Sequence, residues 1–162
     1  MFRKPVIITA PVLWFWISNC GYSTRSLLPS HIHTIAIASV ENSTAQPGLA
    51  EELSLVLPRL FNSNRNLRVT SVEQADLTLS VLITNYYRSA AAYDAEQNIS
   101  AYEISISAQV EAQDQIRNET FYSGAVSSRI SYNPETKTEE AAINEAVDKL
   151  GQEIVRQVIT AW

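Results

Sequence analysis

Hydrophobic and polar positions alternate most cleanly over residues 100–112. Tyr102, Ile104, Ile106, Ala108, Val110 and Ala112 fall on one side of the alternation; Glu103, Ser105, Ser107, Gln109 and Glu111 fall on the other. Successive strand side chains point to opposite faces, so this stretch predicts a strand with one buried face. Residues 76–88 repeat the pattern through Leu77, Leu79, Val81 and Ile83. A connection over residues 90–98 joins the two into a long hairpin. The turn over residues 114–118 then leads to a further strand, residues 120–132, weakened at Gly124. Near the start of this series, residues 34–40 predict a first strand with Ile35 and Ile37 on one face, and residues 67–70 a short one.

Two stretches carry helical spacing instead. Leu49, Leu53, Leu57 and Leu60 make one apolar stripe over residues 48–61, with Glu51 and Glu52 placed to complement the helix dipole. Pro58 removes the hydrogen bond to the Ser54 carbonyl and crowds that turn, which predicts a kink or an early stop near Leu57. Ile143, Val147, Leu150, Ile154 and Val158 mark a second helix running to about Thr160, opened by a capping box of Thr136 and Glu139. The predicted order is β-α-β-β-β-β-α. A sheet with one apolar face needs a cover, and two one-striped helices supply it. The fold class is therefore α/β (α+β), a two-layer sandwich with a mainly antiparallel sheet covered by two helices.

The beginning of the chain changes the picture. Arg3 and Lys4 precede an apolar run over residues 5–17. At about thirteen residues, or roughly 20 Å as a helix, it is too short to span a bilayer, which takes about 20. It has the form of an export signal. Ile17-Ser18-Asn19-Cys20-Gly21 ends it and resembles a bacterial lipobox, departing from the pattern at Asn19, where Gly or Ala is preferred. In lipobox proteins the cysteine thiol receives diacylglycerol and becomes the first residue of the mature chain. The expectation is a signal peptide over residues 1–19, lipid attachment at Cys20, a lipidated tether over residues 20–31 and a single α/β sandwich domain over residues 32–162. Each buried methylene is worth about 0.8 kcal/mol; one acyl chain holds marginally, and two or three hold stably. Cys20 is the only cysteine, so no internal disulfide frames the domain.

Charge and chemistry narrow the function. The chain has 12 basic and 17 acidic residues; without Arg3 and Lys4 the balance is 10 against 17, a net charge of −7. Such a domain is a poor partner for nucleic acid phosphates. The sequence holds no Gly-rich phosphate loop, nucleophile elbow or metal-spaced His/Cys cluster. His31 and His33 read as solvated tether residues, since zinc takes three or four protein ligands. Asp94 and Glu96 read as solvated loop carboxylates without a second catalytic group. No enzyme, metal or cofactor is expected.

The motifs in series carry a resemblance. They are Cys20-Gly21-Tyr22, Leu28-Pro29, Thr34-Ile35-Ala36-Ile37, Glu41-Asn42-Ser43-Thr44, Gly48-Leu49, Leu67-Arg68-Val69, Ala75-Asp76-Leu77, Tyr93-Asp94, Tyr102 and Trp162. In this order they resemble the LPS-assembly lipoprotein family, LptE. The resemblance implies a lipoprotein on the periplasmic face of the outer membrane, with a two-layer α/β fold. It further implies a plug and folding partner of the LptD β-barrel that assists delivery of lipopolysaccharide. The early part of the series is also similar to envelope lipoproteins of the LpoB and CsgG types, which activate a cell-wall synthase or form a secretion pore. Two groups are expected to make contacts. Arg59, Arg65 and Arg68 gather around the end of the first helix and offer guanidinium forks to lipopolysaccharide phosphates. Tyr86, Tyr87, Arg88 and Tyr93 lie around the hairpin end and belong to the residue types that anchor protein partners.

Overall fold

Alternating stretches become strands, and stretches with a repeat of three and four become helices. A computed structural model describes residues 28–161. The elements run β1 (Thr34–Asn42), α1 (Leu49–Asn64), β2 (Arg68–Val69), a 3-10 turn (Val72–Gln74), β3 (Leu77–Tyr93), β4 (Ile99–Asp114), β5 (Glu119–Tyr132) and α2 (Glu139–Thr160). This is the expected order. The strands form one sheet in the order β2-β1-β3-β4-β5. β1 runs parallel to β2 and β3, because α1 carries the chain back across the sheet between β1 and β2. The longer β3–β4 and β4–β5 ladders are antiparallel, joined by tight turns.

Both helices lie on one face and the core lies between the layers. Leu77, Leu79, Val81, Ile83, Ile104, Ile106 and Val110 bury against Leu53, Leu57 and Phe61 of α1 and Val147, Leu150 and Ile154 of α2. Each such side chain contributes roughly 1.5–3 kcal/mol on full burial. Gly151 lets the helices approach, since a Cβ there would stand 2.9 Å from Val56 Cγ1 and from Leu60 Cδ1. Ser128 is buried on the inner face of β5 and donates to the Ala146 carbonyl of α2 at 2.8 Å.

Four local expectations need correction. α1 does not stop near Leu57 but continues through Pro58 to Asn64. Leu57 and Phe61, on either side of the proline, are both fully buried, and their packing outweighs the one hydrogen bond lost. α2 is capped by Thr138, whose hydroxyl accepts from the Ala141 amide at 3.2 Å. Thr136 belongs to the preceding Asn133 turn, to whose carbonyl its hydroxyl donates at 3.3 Å. β3 extends five residues past Arg88, so the hairpin turn is only the stretch from Asp94 to Asn98. Asp94 closes it by accepting from the Asn98 amide at 2.7 Å.

The fourth is a bulge. Ile83 faces Ala108 and Asn85 faces Ser107, leaving Thr84 as an extra residue in β3. An extra residue reverses which side chains point inward. Up to Ile83 the odd-numbered residues face the helices. Beyond it Tyr86 and Arg88 do, opposite Ile106 and Ile104, while Tyr87 turns to the open face opposite Ser105.

Candidate functional site

The bulge sets the character of the hairpin arm. Arg88, turned inward, lays its guanidinium over the Tyr102 ring at 3.7 Å. Its Nε donates to the Tyr132 hydroxyl at 3.0 Å and lies 3.5 Å from Glu139 Oε2 at the start of α2. Tyr102 and Tyr132, directly paired across β4 and β5, stack with centroids 5.8 Å apart. Arg88 thus joins three strands to the first turn of a helix. The Tyr132 hydrogen bond is the main influence holding its pKa above the ordinary value. Tyr86 packs beside this group. Its hydroxyl is buried and makes no hydrogen bond of ordinary geometry among the described residues, the Glu139 carboxylate being the one acceptor close enough to act on it. Burial, and then the Glu139 carboxylate, push its pKa up.

The remaining two residues of the predicted partner surface point outward. Tyr87 is 61% and Tyr93 64% exposed. Tyr93, Asp94 and Gln97 border a shallow depression of about 520 Å³ at the hairpin tip. The arm therefore has an inward side, Tyr86 and Arg88, that organises structure, and an outward pair of tyrosines with no such duty.

The arginines near the end of α1 do not converge. Arg59 pairs with Asp148 of α2 at 2.6 Å. Arg65 adopts a left-handed conformation, φ 62°, to close α1. Arg68 stands exposed on β2, its amide donating to the His33 carbonyl at 3.0 Å. Arg65 and Arg68 make no ion pair among the described residues. Two guanidinium groups are thus available at this end, and one is already engaged.

The expected solvation of the histidines fails at His31. Its Nε2 meets Asp114 Oδ2 at 2.6 Å, and Asp114 is 2% exposed. Burial pushes the Asp114 carboxyl up, but the hydrogen bonds from His31 and from the Arg117 and Ile116 amides outweigh it and hold the group below its ordinary value. Asp76 behaves alike. Desolvation raises it, and hydrogen bonds from the His33 amide, the Thr34 hydroxyl and the Thr34 amide bring it lower. Asp114 carries a signal in the sequence, because it continues the even-numbered inner positions of β4 and so places a carboxylate on an apolar face. Tyr132 and Glu139 carry no comparable signal, since their meeting with Arg88 depends on the bulge. Asp94 and Glu96 are exposed, with Asp94 serving the turn. Among the described residues, no group of three or more His, Cys, Asp or Glu side chains is placed to hold a metal ion. No described helix is long and apolar enough to cross a membrane. Cys20 and the proposed signal lie outside the described residues.

The model of the LptE family, described as lipopolysaccharide-assembly, matches residues 32–158. The chain belongs to the LptE family. No curated protein matches its sequence. Solved structures share the fold at low identity. A Xanthomonas campestris protein has a TM-score of 0.60 and 12% identity, covering 80% of this chain and 85% of its own. A hypothetical protein of Chlamydia trachomatis has a TM-score of 0.59 and 14% identity, covering 78% and 95%. The uncharacterized lipoprotein B of Nitrosomonas europaea has a TM-score of 0.56 and 13% identity, covering 82% and 84%. At these identities the likeness speaks for the fold alone. Each match covers most of both chains.

Proposed function

We propose that this LptE-family chain is an outer-membrane lipoprotein, anchored through Cys20 on the periplasmic side, that assists lipopolysaccharide assembly. In this reading it is the plug and folding partner of an LptD-like β-barrel. The observation that carries the reading is the family match across residues 32–158. The exposed Tyr87 and Tyr93 on the projecting hairpin supply a contact surface suited to a protein partner, tyrosine being a common hot-spot residue. Arg65 and Arg68 remain available to lipopolysaccharide phosphates, and Arg59 reaches them only by giving up Asp148. The role asks for no catalytic group.

The test is capture from membranes. Photocrosslinkers at Tyr87 and Tyr93, followed by mass spectrometry, are expected to trap a β-barrel protein. Capture only from the opposite end of the sheet, for example from Ile116, overturns the assignment of the surface. Co-purification of a cell-wall synthase in place of a barrel overturns the function. Labelling with a fatty acid that survives Cys20→Ala removes the anchor.

A further inference from the structure

The first described residues are part of the fold, not a lead-in to it. Leu28 and Ile32 are buried with the core, and the Ile32 amide donates to the Pro29 carbonyl at 3.0 Å. Two carboxylates hold His31, His33 and Thr34. Asp76, immediately before β3, accepts at Oδ2 from the His33 and Thr34 amides at 2.8 and 2.9 Å. Its own amide donates back to Thr34 Oγ1 at 2.9 Å. Asp114, at the end of β4, takes His31 on Oδ2 and the Ile116 and Arg117 amides on Oδ1, the two amides each at 2.9 Å. The two carboxylate-bearing segments are themselves joined, because the Gln115 amide donates to the Asp76 carbonyl at 2.8 Å. A buried carboxylate is costly unless its oxygens are satisfied, and His31 is one of the three donors satisfying Asp114.

We propose that residues 28–34 form a strap, pinned by Asp76 and Asp114, that fixes the point where the N-terminal segment leaves the domain. That point is the β4–β5 turn end of the sheet, where Leu77 pairs with Asp114. The hairpin tip is the other end of the same ladder. β3 from Leu77 to Tyr93 covers roughly 50 Å at about 3.3 Å per residue. The strap therefore presents Tyr87 and Tyr93 away from the exit. Its release would add seven residues, up to about 24 Å of loose chain, and abolish the fixed direction. On the lipid-anchor reading above, on which this last step rests, the β4–β5 turn end lies next to the acylated leaflet, and the tyrosine-bearing tip lies at the far end of the domain from it, free to enter the lumen of a barrel partner.

Two measurements on the full processed chain separate these steps. Hydrogen exchange in detergent reads the strap. The amides of Ile32, His33 and Thr34 are expected to exchange at least tenfold more slowly than in an unfolded chain. They should lose that protection in His31→Ala combined with Asp76→Ala, while the Ile104 and Ile106 amides keep theirs. Exchange at unfolded rates in the parent, or protection unchanged in the variant, overturns the strap. For direction, a fluorophore is placed on Ile116→Cys or on Tyr93→Cys. The chain is floated with phosphatidylethanolamine–phosphatidylglycerol vesicles carrying a headgroup quencher. Quenching at position 116 at least twofold stronger than at position 93 supports the orientation; equal or reversed quenching overturns it. A chain that does not float overturns the anchor and the orientation together, and hydrogen exchange then decides the strap by itself.

Discussion

Replacing Arg88 by alanine tests whether the bulge-dependent tie is energetically real. The guanidinium is about one-third exposed, so its 3.5 Å approach to half-exposed Glu139 contributes little, about 0–1 kcal/mol. The cation–π contact with Tyr102, partly desolvated, contributes about 1 kcal/mol. The hydrogen bond to Tyr132 is charge-assisted, and its loss leaves a hydroxyl on a residue only 4% exposed, which costs about 1–2 kcal/mol. The expected destabilisation is about 2–4 kcal/mol. At a urea dependence of about 1.5–2 kcal/mol per molar, the unfolding midpoint falls by about 1–2.5 M with the slope unchanged.

Two controls isolate the cause. Arg129→Ala removes an arginine from the open face whose only ion pair among the described residues, with Glu103 at 3.4 Å, is exposed; it should cost less than about 0.5 kcal/mol. Arg88→Ala with Tyr132→Phe, each alone and together, should show a coupling of about 1 kcal/mol. A midpoint shift below about 0.3 M for Arg88→Ala, or a cycle that closes to zero, refutes the reasoning.

The same geometry sets three further outcomes. Tyr86→Phe removes a buried hydroxyl that makes no hydrogen bond of ordinary geometry among the described residues and should stabilise the domain by about 1 kcal/mol in urea titration; a loss of similar size means the hydroxyl is satisfied. Thr138→Ala should cost about 1 kcal/mol and Thr136→Ala much less, and the reverse ranking returns the cap of α2 to Thr136. Asp114 and Asp76 are held below their ordinary pKa in the fold, so each contributes stability that is present above about pH 4, the ordinary range of the free carboxyl, and is lost as pH falls through the folded value. Unfolding midpoints at pH 7 and pH 3 should therefore differ less for Asp114→Asn than for the parent, and equal acid sensitivity sinks the assignment.

Legibility in the sequence tracks locality. The alternation of β4 and the stripe of α2 need only neighbours along the chain, and both appear with the expected faces buried. Pro58 illustrates the limit: a local rule predicts a break, and packing of Leu57 and Phe61 overrides it. The bulge at Thr84 depends on its antiparallel partner, so no period along β3 alone assigns Tyr86 and Arg88 to the helix side. His31 and Asp114 stand 83 residues apart, and their meeting depends on the whole sheet order. The predicted partner group therefore separates into two members that build the arm and two that face outward. The arginine group separates into one engaged side chain and two available ones.

The open face of the sheet bears on the proposed plug. Ser105, Ser107, Gln109, Glu111, Ser127 and Arg129 lie on the side away from the helices, and Leu82, Tyr87 and Tyr93 are the large exposed apolar or aromatic residues of β3. A surface of small hydroxyls and charges resists burial against a second apolar sheet, because each group would need a new hydrogen-bond partner. The lumen of an outer-membrane barrel is itself polar, so a lumen-filling domain gains nothing from an apolar outer face and needs only a few anchors. On the proposed reading, Tyr87 and Tyr93 would meet that need at one end of the sheet, and a strap held by Asp76 and Asp114 at the other end would leave them unobstructed. Converting Ser105 and Ser107 to leucine together should leave folding intact, since both point away from the core. It should weaken recovery of the proposed barrel partner and promote self-association, seen as a concentration-dependent rise in sedimentation coefficient. Undiminished barrel capture by the double variant would place the partner surface elsewhere on the domain.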